Sequence, residues 1–272
     1  MNTDIQNPGS ALGEAIGAEM EKALNVFLTN LAESIGYHFL SKSPLKNKDG
    51  MQKKLLMYDN FGTAYNIDAV IANESMQPII LIESKYIRYK KHNRDKGSWV
   101  CTAHPAVRRR YASIRSSIAV LAGNWSSSSL AMMKSYDINI FLIPFRKICD
   151  LLSEYDIEFD WDEKDRSTAI KSWHKYSSLS EIQKANIGVE MVNTIESELK
   201  KLVLSILDDT IQREIDNVLI ELRSNLGEVK VYEFASIEKA VAFLNTAELN
   251  GIFIIGDSLT LFDPSPIFED NN

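Results

Sequence analysis

Apolar residues fall at three- and four-residue steps from Ser10 onward, at Leu12, Ile16, Met20, Leu24, Phe27, Leu28, Leu31 and Ile35, which predicts an amphipathic helix that stops near Gly36. Ser10 suits its N-cap. The periodicity then changes. Lys54–Tyr58, Tyr65–Ile71 and Ile79–Lys85 are short, rich in Ile, Leu and Val, and separated by turn formers ending in Pro78, so they predict three consecutive strands. Tyr37–Gly50 is polar and mildly basic and reads as a connection. Arg108–Ala122 predicts a second helix, with Tyr111, Ile114, Ile118 and Leu121 inward. After a break at Gly123–Ser129, Tyr136–Pro144 is apolar enough for an interior strand covered on both faces. The expected fold class is therefore α/β, a mixed central sheet flanked by helices.

From Phe145 the character shifts: a helix over Lys147–Tyr155, an acidic stretch from Glu154 to Asp165, then a long apolar stripe over Ser180–Leu226. Strand, helix and strand follow at Val229–Phe234, Ser236–Leu244 and Gly251–Ile255. Two regions are expected, 1–145 as an α/β core and 146–272 as a mainly α-helical region with a small α/β end, its helices a candidate dimer seam.

With 45% hydrophobic and 25% charged residues in 272, an ordinary buried core is expected. Met1–Pro8 has no basic run followed by an apolar core, no apolar run reaches membrane-spanning length, and Cys101 and Cys149 lack metal-ligand spacing. The chain reads as cytoplasmic, with free thiols and no membrane partner. P-loop, dinucleotide and zinc patterns are missing from the sequence.

The net charge of −7 argues against a polyanionic partner until its distribution is considered. Between Lys85 and Arg115 stand ten basic residues against one acid, Asp95, a local +9 that leaves about −16 on the remainder. Arg88, Lys90, Lys91, Arg94, Lys96, Arg108, Arg109, Tyr111 and Arg115 are the candidate phosphate-contacting residues in this stretch. His92 and His104 have no partners at ligand spacing and read as surface residues.

The basic stretch begins at a chemically distinctive point. Residues i and i+2 of a strand share a face, so Glu83 and Lys85 project together and Asp68 joins them if the two strands pair in register. Two carboxylates that close repel, which an oxygen-loving divalent cation relieves. A lysine beside them suits orientation of a water or stabilisation of phosphate charge. Two other Glu-x-Lys triplets are controls: Glu198–Lys200 lies in a helical pattern, and Glu228–Lys230 has no acid-bearing strand before it.

At Asp68 and Glu83-Ser84-Lys85 the sequence resembles the PD-(D/E)XK nuclease superfamily, with Ile67 where the family name has proline. Gly17-Ala18-Glu19-Met20-Glu21 is similar to the family's first-helix pattern, which makes Glu21 a candidate metal residue, with Glu14 and Glu19 as alternatives. The resemblance implies a restriction-endonuclease-like core and a Mg²⁺ site at Asp68, Glu83, the Ser84 carbonyl and Glu21, with Lys85 catalytic. It further implies hydrolysis of DNA phosphodiesters to 5′ phosphates, most like a type II restriction endonuclease acting on double-stranded DNA as a homodimer. A structure-specific or repair nuclease of the same fold, and an inactive nucleic-acid-binding protein, are the alternatives.

Overall fold

In a computed structural model, the described residues are 7–42, 55–89, 93–162 and 164–248, with 251–253, 261 and 263. Their elements, in chain order, are α1 (Pro8–Glu33), β1 (His38–Leu40), β2 (Leu56–Tyr58), β3 (Ala64–Asn66), β4 (Ala69–Ala72), β5 (Pro78–Ile87), α2 (Asn93–Arg110), β6 (Ser116–Gly123), α3 (Ser127–Lys134), β7 (Ile138–Pro144), α4 (Phe145–Ser153), α5 (Arg166–Ser178), α6 (Glu181–Leu207), β8 (Val218–Arg223), β9 (Val229–Phe234) and α7 (Ile237–Thr246). The α/β class holds. None of the described helices is long and apolar enough to cross a membrane.

The cap of helix α1 lies three residues before the expected one. Asn7 accepts the Ser10 N–H at 3.2 Å and Pro8 occupies the first turn, where its missing N–H is harmless. At the other end Gly36 takes φ +78°, a conformation that favours glycine.

The main sheet has five strands in the order β1-β4-β5-β6-β7. β1, β4 and β5 run antiparallel to their neighbours, while β5, β6 and β7 are parallel, with α2 and α3 as the crossovers that parallel pairing requires. β5 is thus the seam between the two halves. Its side chains alternate: Ile80 and Ile82 join the core built with α1 and α6, while Leu81 and Ile87 face the cores containing α2 residues.

Several expectations need correction. The strand expected at Tyr65–Ile71 breaks at Ile67 and Asp68, so β3 pairs with β2 in a separate two-stranded sheet and only β4 joins the main one. β1 supplies the third antiparallel strand, from what read as polar connection. The helix expected at Arg108–Ala122 is instead α2, ending at Arg110, followed by β6, whose eight residues are all buried. Pro105, which read as a helix start, lies inside α2. In Ile118–Ala122 the continuous apolar run, suited to a strand covered on both faces, outweighs the coincidental helical spacing. β7 is an edge strand, not an interior one. The break at 123–129 becomes the start of α3, capped by Ser126. The stripe over 180–226 is helical only to Leu207, and Val218–Arg223 forms a hairpin with β9. Gly251–Phe253 is not a strand, and Ile254–Ile255 lie outside the described residues.

Two compact units result, Met1–Leu207 and Asp208–Asn272. The first boundary falls beyond the expected 145/146 because α4, α5 and α6 bury Ile148, Leu152, Ala169, Tyr176, Met191 and Leu199 in the same core as α1. α6 is fastened at its end by Tyr37, which donates to the Leu207 carbonyl at 3.3 Å, and by Arg115, which donates to that of Ile206 at 2.9 Å. In the second unit α7 packs Phe243 against Tyr232 and Phe234 of β9, with ring centroids 4.6 and 5.1 Å away.

Contact between α1 and α6 depends on Gly188, where an added Cβ would stand 2.3 Å from the Glu19 carbonyl oxygen. Backbone cannot yield as a side-chain tip does. Gly188→Ala is expected to lower stability by about 1–3 kcal/mol in urea unfolding, and an unchanged midpoint would show that the helices separate without cost.

Candidate active site

β5 outruns its antiparallel neighbour. β4 begins at Ala69, opposite Ile82, so the carboxyl-terminal half of β5, from Glu83 on, loses that partner while keeping its parallel pairing to β6. Asp68 stands at the gap and partly fills it: its Oδ2 accepts the Ser84 N–H at 3.0 Å, where a ladder bond would otherwise lie. The same oxygen accepts from Lys85 Nζ at 2.7 Å.

Glu83 is 1% exposed, and its Oε1 lies 2.5 Å from Lys85 Nζ. One ammonium therefore bridges two carboxylates. On the other side of Glu83, the fully buried His104 of α2 places Nε2 3.6 Å from Oε2, ion-pair range rather than a hydrogen bond. Burial pushes the Glu83 carboxyl up, but His104 and the Lys85 charge outweigh it and hold the group below the usual carboxylate range. Burial likewise disfavours the Lys85 ammonium, yet Glu83 and Asp68 raise its pKa above the ordinary lysine value.

Glu21 of α1 and Lys85 line one cleft. Burial, then the charge of Asp68, lifts the Glu21 pKa above the usual value; Glu83 adds to the rise, while Lys85 and Lys42 oppose it. Glu14 also lines the cleft, whereas Glu19 is buried and paired with Lys22 at 2.7 Å. Glu21 is therefore the α1 acid whose ionisation registers both Asp68 and Glu83.

The cleft encloses about 860 Å³ between α1 and the end of β5. It lies at the carboxyl end of the first parallel strand, where open α/β sheets commonly hold ligands. Among the described residues no three acid, imidazole or thiol groups converge as a ready-made metal centre. Asp68 and Glu83 hold one ammonium between them, and the charges of both carboxylates act on Glu21.

No family model and no curated protein matches the chain. A solved structure described as a protein of unknown function, AF1548, aligns with 68% of this chain and 99% of its own at 12% identity and a TM-score of 0.30, a likeness too slight to carry an argument.

The basic residues divide. Lys96 lines the cleft and donates from Nζ to the Tyr86 carbonyl at 3.0 Å, and Arg94 and Arg109 are exposed on α2 with Arg108 half-buried. Arg88 is not a surface cation as expected: it is 7% exposed, stacked on Trp161 at 3.5 Å, and donates to the Phe159 carbonyl at 3.0 Å. Arg115 is tied to α6, and Tyr111 packs against the core beneath α2. Lys90, Lys91 and His92 lie outside the described residues.

His104 is the residue sequence reasoning set aside. Val100, Ala103 and Val107 mark the buried stripe of α2, and His104 falls within it. A helical reading of 93–110 would have found it. His104→Leu leaves the buried Glu83 carboxylate with Lys85 alone and is expected to cost about 3 kcal/mol. Adding Glu83→Gln should recover part of that loss in a urea-unfolding double-mutant cycle; strictly additive costs would mean the pair is not coupled.

Proposed function

We propose that this protein is a Mg²⁺-dependent endonuclease that hydrolyses phosphodiester bonds of double-stranded DNA, in the manner of a type II restriction endonuclease. The observation that carries the reading is the Asp68–Lys85–Glu83 cluster at the mouth of a cleft, formed from residues that resemble the PD-(D/E)XK signature. Asp68, Glu83, the Ser84 carbonyl and Glu21 would hold the ion, which supplies charge neutralisation at the scissile phosphate.

The remaining chemistry belongs to the chain. Lys85 is fixed by two carboxylates and stays charged, so its ammonium offers a preorganised donor to a phosphate oxygen or an incoming water. Asp68, through its bond to the Ser84 N–H, locks the strand end that presents Lys85. Lys96 stands at the cleft rim, and Arg94, Arg108 and Arg109 extend positive charge along α2 for the flanking backbone. Cutting both strands takes two such centres, which a two-fold dimer supplies.

The test is incubation of the purified protein with plasmid and phage DNA in Mg²⁺ or EDTA. Discrete fragments are expected in Mg²⁺ alone. Lys85→Ala, Asp68→Asn and Glu83→Gln should each slow cleavage by at least about 10²-fold while binding persists. Cutting that survives in Lys85→Ala would overturn the assignment of the site, and duplex left intact with every divalent ion would move the substrate to branched DNA or RNA or leave binding alone.

A further inference from the structure

Helix α1 runs along the cleft from Glu21, near Lys85, to Gly9, at the opposite end. Gly9, Gly13 and Gly17 face β5 one helical turn apart. A Cβ on Gly9 would stand 3.2 Å from Arg88 Nη1, and Cβ atoms on Gly13 and Gly17 would meet the Tyr86 ring at 3.2 and 3.0 Å. Without side chains on this stripe, α1 lies close against Tyr86 and Arg88.

Arg88 is the anomaly at that far end. Its guanidinium is held by Trp161, Phe159 and the Phe159 carbonyl, which engages Nη2, but Nε and Nη1 are buried with no hydrogen-bond partner among the described residues. No carboxylate forms an ion pair with it among the described residues. Beside it, the buried Tyr86 hydroxyl also has no hydrogen-bond partner among the described residues. Both residues line the cleft. Unsatisfied buried donors on a fixed cation are costly, and an oxyanion removes the cost for all of them at once. The planar fork of a guanidinium matches phosphate, and the first turn of α1 adds the favourable end of a helix dipole.

We propose that Arg88 and Tyr86, with the first turn of α1, form a phosphate-binding subsite at the end of the cleft away from Lys85. Arg88 stands just past the end of β5, three residues after Lys85 and roughly 10 Å of extended chain away. Their separation suits a second phosphate of the strand held at Lys85, and that source of the phosphate rests on the nuclease reading. The subsite itself does not: a free phosphate has the same recognition chemistry. Arg88 then has two functions, closing the core through Trp161 and presenting its free edge to an anion.

Isothermal titration of the full-length protein with inorganic phosphate, at matched ionic strength in chloride, tests the subsite directly. One phosphate per chain is expected. Arg88→Met, which keeps an apolar stem beside Trp161, should weaken it at least about tenfold. Tyr86→Phe, which keeps the ring against Gly13 and Gly17, should weaken it about threefold or more without unfolding the chain. Lys201→Met, an exposed change on α6, should leave it as it is. No phosphate binding by the wild type, or full-strength binding by folded Tyr86→Phe and Arg88→Met, would overturn the proposal. A second arm measures fluorescence anisotropy of a duplex oligonucleotide in EDTA. Equal weakening in Tyr86→Phe, with competition by inorganic phosphate, assigns the subsite to the nucleic-acid backbone. Phosphate binding with no duplex binding keeps the subsite and defeats the DNA reading alone.

Discussion

The Lys85 ammonium, shared between Asp68 at 2.7 Å and Glu83 at 2.5 Å, is the contact on which the rest of the site depends. It sits where β4 stops and β5 continues, so the chain must resolve an electrostatic and a backbone problem at one place. Asp68 does both, pairing with the ammonium and accepting the Ser84 N–H. Glu83 is buried between this ammonium and His104, and without them an isolated carboxylate there would protonate rather than stay charged. The geometry of the cleft follows, since α1 lies along the part of β5 that β4 leaves open.

The hairpin of β4 and β5 was legible because strand periodicity is local and its turn, Asn73–Pro78, carries strong turn formers; here Met76 takes a positive φ of 58°. The pairing of Ala69 with Ile82 then puts Asp68 next to Glu83, as the alternation of side chains implied. What the sequence concealed were choices between two regular structures for one apolar run. Ile114, Ile118 and Leu121 fit a helix by spacing, yet Ser116–Gly123 is buried on both faces, and burial on both faces is a property of the sheet around it. Pro105 misled for a related reason. Its ring excludes a hydrogen bond inside a helix, but α2 accommodates it because Val100, Ala103 and Val107 are fully buried.

The same ambiguity governed the charged residues. A run of ten cations reads as one footprint along the chain, while in three dimensions Arg94 faces outward, Lys96 turns to the cleft, Arg88 is drawn under Trp161, and Arg115 fastens α6. Counting charge locates the region. Which cations meet solvent depends on the strand and helix each occupies, and that depended on the helix–strand choice already misjudged. His104 was hidden by the same error, since only the correct helix puts it beside Glu83.

The burial of Glu83 also bears on how the molecule comes together. Asp68, Glu83 and His104 belong to β4's approach, β5 and α2, and none of these can desolvate the carboxylate alone. Without α2, Glu83 lacks His104 and the cover that buries it, while Asp68 and Lys85 still pair across the hairpin, so a chain folded only as far as its hairpin has an incomplete centre. The buried carboxylate is therefore complete only where the hairpin and α2 meet, and loosening α2 would expose one negative charge to water and unmake the centre without touching its strands.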